Sequence, residues 1–312
     1  MPELSIIIPT RHRPELLQRV VQALLRQSVA QERYELIIVD SASTDSTPEL
    51  LAQLSAKHSN LKTLRTDKAG AAAARNLGLE AANSPLLVLL DDDILVSEDF
   101  LAHVLAGAQA HPDRILLGKI VAPWIESCDP FQRFLLESGD VNTYDFPDRL
   151  NVPANHFYTA CVAIPRQVLS AIRFDEKFIV YGLEDLDFGL RLLQSGEMIV
   201  YLPELEVRHE YFPNFRDYRR KKYKTGYSLA YFINKQPDNA RHFYIESNLQ
   251  RILFRVYRLL ASPAAGVAYL YDRMARRTGP IHRVLYHWFY CDLRVQLFNG
   301  MRRFQAEDKS QC

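Results

Sequence analysis

Three consecutive carboxylates, Asp91-Asp92-Asp93, close an apolar run at residues 86–90. If the segment stays extended, Asp91 and Asp93 face the same side, because side chains alternate along a strand. Two carboxylates so placed suit a hard divalent cation, Mg2+ or Mn2+, with substrate phosphates completing its shell. The plainer alternative is an acidic turn that caps the next helix. A second group is Gly182-Leu183-Glu184-Asp185-Leu186-Asp187. A carboxylate in the first turn of a helix is held rigidly and can take a proton from an attacking hydroxyl. A neighbouring carboxylate would raise its pKa toward a useful value. Asp187 reads instead as an acid that favours the helix dipole. His209, in Val207-Arg208-His209-Glu210, would complete a mixed nitrogen and oxygen metal site with Asp93 if the two meet in space; otherwise it is structural. The run Gly70-Ala71-Ala72-Ala73-Ala74-Arg75 permits close backbone approach at a helix N-terminus, which suits a phosphate or nucleobase. Arg75 then either reaches the ligand edge or sits on the surface.

These residues need elements to hold them. Apolar runs at residues 4–8, 34–39, 61–64 and 86–90 read as strands. Helical patterns separate them: residues 14–27 with a Leu16, Leu17, Val20, Leu24 and Leu25 stripe, a start at Thr47-Pro48 with Thr47 as cap, and residues 71–82. Ser97 is expected to cap a further helix. Alternating strand and helix with continuous apolar strands predicts a parallel sheet covered on both faces. Ligands then bind beyond the carboxyl ends of the strands. Thr10-Arg11-His12-Arg13, Asp40-Ser41 and the Asp triplet all fall at those ends. Residues 115–121, 157–164 and 198–202 read as later strands and 185–194 as a helix. From about residue 213 only helical patterns remain, at roughly 214–234, 238–260, 264–277 and 281–304.

Charge is divided along the chain. The net formal charge is +1, but residues 1–205 carry 18 Lys+Arg and 28 Asp+Glu, whereas 206–303 carry 19 and 7. That is an acidic body and a basic end, and 19 of the 34 aromatic residues lie in the basic end. Basic plus aromatic fits an anionic surface. Four cysteines without close spacing make neither a metal motif nor a disulfide framework. Met1-Pro2-Glu3-Leu4 opens no secretory signal, and the uncharged run at 259–271 is too short to span a bilayer. A cytoplasmic protein, peripheral on the inner face of a membrane, is the expectation.

Read together and in order, the pieces are P-T-x-x-R, V-D-S-x-S-x-D, A-x-x-A-R-N-x-G, L-D-D-D, F-D-E-x-F and G-x-E-D-x-D-x-x-x-R. This set resembles the inverting glycosyltransferases of family 2 with the GT-A fold, over about residues 4–212. The resemblance implies a nucleotide-diphospho-sugar transferase fold: α/β, a mixed sheet flanked by helices, with a C-terminal helical extension at 213–312. It implies that Pro9, Thr10 and Arg13 line the nucleotide pocket, that Asp40 binds the base (commonly uracil), and that Lys68 and Arg75 lie near the pyrophosphate. Asp93 would hold the metal with Asp91 and His209, while Asp91 or Asp92 would approach the ribose or sugar. Asp185 would be the base, beside Glu184. The implied reaction moves a sugar from a nucleotide-diphosphate donor to a glycan or lipid-linked acceptor hydroxyl.

Two other classes compete. A nucleotidyltransferase on a related fold should carry a Gly-rich N-terminal loop, which Pro9-Thr10-Arg11-His12-Arg13 is not. A nucleotide-sugar-binding protein without catalysis has no need of both acidic groups. In the basic end, Arg216, Arg219, Arg220, Lys221, Lys222 and Lys224 interleave with Tyr218 and Tyr223, and Tyr286-His287-Trp288-Phe289-Tyr290 forms a second aromatic group. An anionic membrane is the expected partner there, with an internal packing surface or homodimer interface as alternatives. No nucleic-acid module is present.

Overall fold

The computed structural model describes residues 1–68, 70–122, 129–138, 146, 149–150, 152–169, 172–210, 214–239, 248–275 and 280–311. The expected boundary at 212/213 lies outside them. The chain forms two compact units.

The first unit is built on an eight-stranded sheet. Its strands are β1 (Leu4–Thr10), β2 (Tyr34–Ser41), β3 (Leu61–Thr66), β4 (Leu86–Leu90), β5 (Ile94–Val96), β6 (Ile115–Val121), β7 (Cys161–Pro165) and β8 (Ile199–His209), in the spatial order β3-β2-β1-β4-β7-β6-β8-β5. The first four are parallel to one another, as expected. β7 then joins β4 and β6 antiparallel, so the sheet is mixed. Helices α1 (Pro14–Leu25), α2 (Thr47–Lys57) and α4 (Phe100–Ala110) cover one face, and α3 (Ala71–Ala81) and α6 (Glu184–Gln194) the other. Alternate residues of β1 serve the two cores: Leu4, Ile6 and Ile8 one, Ile7 the other. That is why the strand is apolar throughout. Gly78 of α3 is demanded by packing, since a Cβ there would lie 2.4 Å from Ile7 Cγ2.

Local expectations needed adjustment. Thr47 is the first helical residue rather than the cap, and Asp99, not Ser97, precedes α4; the first-turn N–H groups are met from elsewhere, Thr47 N–H donating to Asp45 Oδ1 at 3.1 Å and Leu101 N–H to Gln27 Oε1 at 2.8 Å. The stretch expected to be a strand from 157 begins only at Cys161, after a 3-10 turn at Ala154–His156. Strand β5 has no counterpart in the sequence reading, being three residues long.

The second unit contains α5 (Pro130–Ser138), residues 180–183, α7 (Phe215–Lys235), α8 (Asn248–Ala275) and α9 (Pro280–Gln311). α8 replaces the two helices expected at 238–260 and 264–277. It runs through Pro263, which forfeits one backbone bond but leaves the helix continuous. α7 and α9 touch backbone to backbone. A Cβ at Gly226 would lie 1.9 Å from Leu297 O, and one at Gly300 would lie 1.9 Å from Tyr223 O. Buried Asp292 of α9 joins all three long helices, accepting from Arg219 Nε at 2.6 Å and Arg258 Nη1 at 3.2 Å. Of residues 286–290, expected as an interfacial patch, Phe289 is buried in an aromatic core with Phe131, Phe134 and Tyr218, Tyr286 and Trp288 pack against that core, and His287 and Tyr290 are exposed.

Candidate active site

The carboxyl ends of β1, β2 and β4 carry the polar groups, as the sheet topology requires. Pro9 and Thr10 are the last residues of β1, and Thr10 pairs in register with Asp40 of β2. Thr10 Oγ1 donates to Asp92 Oδ2 at 2.8 Å. Arg13, set just before α1, donates through Nη1 to Asp92 Oδ1 at 2.9 Å and Asp93 Oδ2 at 2.6 Å.

This corrects the expected geometry of the triplet. Residues 91–93 form a turn, closed by Ile94 N–H donating to Asp91 O at 3.2 Å, rather than an extended segment. Strand alternation therefore does not apply. Asp92 and Asp93 converge on Arg13, while Asp91 accepts from Arg75 Nη2 at 2.8 Å. The shared guanidinium leaves the Asp92 and Asp93 carboxyls far apart in acidity. Burial pushes Asp92 up to about 6, with Arg13 offsetting only part of the rise. Burial also disfavours the Asp93 anion, but His209 and Arg13 outweigh it and hold Asp93 down to about 2.

His209 reaches Asp93 because β5 pairs with β8, with Ile94 opposite His209. The Glu210 N–H then donates to Asp93 O at 2.8 Å. His209 Nε2 lies 3.4 Å from Asp93 Oδ1, a buried oxygen without a well-formed hydrogen bond. One carboxylate oxygen and one imidazole nitrogen, side by side, fit a divalent cation whose other positions go to phosphate and water. Among the described residues no third His, Cys, Asp or Glu joins them. Asp91 is engaged elsewhere.

Arg75 is the centre of the other half. It is 4% exposed, and its Nη1 donates to Glu184 Oε1 at 3.1 Å while Nη2 holds Asp91. Its guanidinium lies 5.6 Å from the Phe174 ring centroid. Burial opposes its charge, but Asp91 and Glu184 outweigh burial and keep it cationic. The next residue, Asn76, ties α3 to the F-D-E segment: its Nδ2 donates to Phe174 O at 2.9 Å and its Oδ1 accepts from Phe174 N at 2.9 Å. Gly70 starts α3 with φ 99°, and a Cβ there would lie 2.7 Å from Phe178 O.

Glu184 and Asp185 open α6, following Gly182 and Leu183 at φ 101° and 70°. Asp185 accepts from the Leu186 N–H at 2.9 Å. Burial first, and the Glu184 charge second, push its carboxyl up to about 7 against the pull of Arg75. Asp187 is fully buried and paired with Arg191 one turn on. The helix dipole alone therefore does not account for it.

Two expected binding residues have protein partners. Asp40 is buried, accepting from Ser43 N–H at 3.0 Å and from Arg65 Nη1 at 2.5 Å. Sequence reading missed Arg65, whose only signal was its position at the end of β3. Lys68 Nζ donates to Glu176 Oε2 at 2.6 Å, again meeting the F-D-E segment.

Residues 5–172 match the family described as glycosyl transferase family 2. Validoxylamine A glucosyltransferase of Streptomyces hygroscopicus subsp. limoneus is 29% identical over 246 residues, covering 67% of this chain and 52% of the relative. A glycosyltransferase of Haemophilus influenzae named as uncharacterized is 35% identical over 249 residues, covering 75% of this chain and 94% of the relative. The chain spans about half the length of the Streptomyces relatives. Among solved structures, the S. aureus TarS 1-349 complex with UDP superposes with a TM-score of 0.56 at 16% identity, covering 100% of this chain and 92% of that one. The mannosyltransferase PcManGT from Pyrobaculum calidifontis, solved with GDP-Man and Mn2+, superposes with a TM-score of 0.60 at 17% identity, covering 98% and 88%. These two share the fold, with its curled mixed sheet flanked by helices. By the profile match over more than half its length, the chain belongs to glycosyl transferase family 2.

Proposed function

We propose that the protein transfers a sugar from a nucleotide-diphosphate donor, UDP-linked, to an acceptor hydroxyl with inversion, in glycan, glycolipid or cell-envelope polysaccharide synthesis. The observation that carries this reading is buried Arg75, which ties Asp91 of the triplet to Glu184, the neighbour of a carboxylate titrating near neutrality. A base poised near the working pH is what proton removal from a hydroxyl needs.

In this reading the acceptor oxygen attacks the anomeric carbon, the bond from that carbon to the diphosphate breaks, and the configuration inverts in the single displacement. Asp185 takes the acceptor proton on a carboxylate oxygen. Burial, and after it the Glu184 charge, keep the Asp185 carboxyl high, and Arg75 limits that rise. Pro9, Thr10, Arg13, Lys68 and Asp92 line the donor pocket. Asp40 meets the base, with its carboxylate held in place by Ser43 and Arg65. Asp93 and His209 would hold a divalent cation, Mg2+ or Mn2+, which supplies Lewis-acid stabilisation of charge on the departing diphosphate. The catalytic segment is residues 1–212 and the helical extension 213–312, the latter placing the enzyme peripherally on the cytoplasmic face of a membrane.

The test is incubation with UDP-, GDP- and TDP-sugars and Mn2+ or Mg2+, scored by nucleoside diphosphate release. Release from one donor class, lost in Asp185→Asn, is expected. Absence of release from every donor, or an unaffected Asp185→Asn, would overturn the reading.

A further inference from the structure

Helix α8 turns its apolar face to water. Leu249, Ile252, Leu253, Val256, Leu259 and Leu260 recur at helical spacing and form one stripe, and each is 46–77% exposed. The opposite face is the one packed. Arg251 lies 4.5 Å over the Phe298 ring, Phe254 meets Tyr290 edge to face, Arg258 pairs with Asp292, and Ala265 is buried. Rotating α8 to bury its leucines would withdraw Arg258 from a carboxylate that is 2% exposed. Breaking a buried ion pair of that kind is strongly unfavourable. The ion pair therefore commits the stripe outward, and a continuous exposed apolar patch of this kind marks an interaction surface.

Charge selects the occupant. Residues 247–271 contain no Asp or Glu, and Arg255 borders the stripe one turn round the helix. A second copy docked on this face would bring the Arg255 of each copy to an interface whose residues 247–271 carry no acid to pair it. An anionic bilayer presents the opposite charge and an apolar interior. Among the described residues no helix is long and apolar enough to cross a membrane. We propose that α8 lies in the plane of an anionic lipid surface, its leucine stripe at the boundary between headgroups and acyl chains and Arg255 at the lipid phosphates. The proposal is independent of the sugar-transfer reading, because its test reads binding alone.

Flotation of the full chain with phosphatidylcholine vesicles, with and without about one third phosphatidylglycerol, decides the matter. The anionic vesicles should carry the protein at least about tenfold better than the neutral ones, and raised salt should weaken binding. Leu253→Ser with Leu260→Ser, both on the exposed face, should lower the bound fraction by about tenfold or more with an unchanged melting curve. Arg255→Glu should lower it severalfold. No flotation of the wild type, equal flotation of the double variant, or a wild-type dimer that the double variant dissociates would each overturn the proposal. The last result would make the stripe a self-interface.

Discussion

Replacing Arg75 with Gln removes the positive charge that Asp91 and Glu184 share, while leaving a polar side chain in place. Two carboxylates then lose their partner in a site where Arg75 is 4% exposed. Breaking a buried pair costs about 3–5 kcal/mol, which for a unit of this size is a fall in melting temperature of roughly 10 °C. The sharper consequence concerns Asp185. Its carboxyl already stands at about 7, with Arg75 among the groups that lower it. Losing a nearby opposite charge raises a carboxylate by about 1–3 units. At pH 7, about half of the wild-type base is ionised; after a rise of ~1.5 units, about 3% is. Turnover at pH 7 should thus fall roughly fifteenfold through ionisation alone and recover to within about twofold near pH 9.5. Arg75→Lys retains the charge without the fork and should keep the wild-type acid limb at reduced stability. The assay is nucleoside diphosphate release from pH 6 to pH 9.5, alongside thermal melting. An Arg75→Gln loss of the same factor at every pH would refute this reasoning. It would return Arg75 to the ligand-contacting role expected from sequence.

Asp185→Asn should abolish turnover by about three orders of magnitude while donor binding, measured by calorimetry, stays within a few-fold. The same substitution should stabilise the fold in a pH-dependent way. The folded carboxyl stands at about 7, above its ordinary 3.8, so wild type loses stability relative to the variant as pH rises through that window. Melting temperatures should therefore coincide near pH 4 and diverge toward pH 7, with the variant higher. Asp93→Asn should remove the stabilisation that Mn2+ and nucleotide together give wild type in a melting assay. Gly78→Ala should cost about 1–3 kcal/mol, since its Cβ meets Ile7 Cγ2 at 2.4 Å. Chemical denaturation would measure that loss.

The half of the sheet formed by β1 to β4 was legible because both its faces are buried, so apolar runs, breaks and polar ends coincide. Thr10, Arg13 and the Asp triplet were placed at one edge on that basis, and they do converge. What could not be read was the direction in which each carboxylate points. The assumption of an extended strand paired Asp91 with Asp93, whereas a tight turn gives Asp92 and Asp93 to Arg13 and sends Asp91 to Arg75. β5 was invisible because three residues carry no period. The pairing of Arg65 with Asp40 follows from the register of β2 on β3, where the two stand opposite, and that of Glu176 with Lys68 from the path of the F-D-E segment; no local pattern encodes either. In the helical unit, amphipathicity was legible but its orientation was not. Phe289 faces a core while His287 and Tyr290 are exposed, and the leucines of α8 face solvent, with Arg258 on the opposite face of that helix paired to Asp292.

The pairing of Ile94 with His209 also sets an order of assembly. The two residues that would hold the cation stand more than a hundred positions apart in the chain, brought together only when β8, the last strand, pairs with β5 at the sheet edge. Loop closure costs more entropy as sequence separation grows, so this pairing is expected to form after the local strand-helix units. A nascent chain that has not yet released β8 therefore displays its acidic triplet without the imidazole. Competence to hold the cation would report that the whole sheet, not merely its parallel half, has folded. A chain truncated before residue 199 should retain much of the parallel core yet fail to gain stability from Mn2+ and nucleotide.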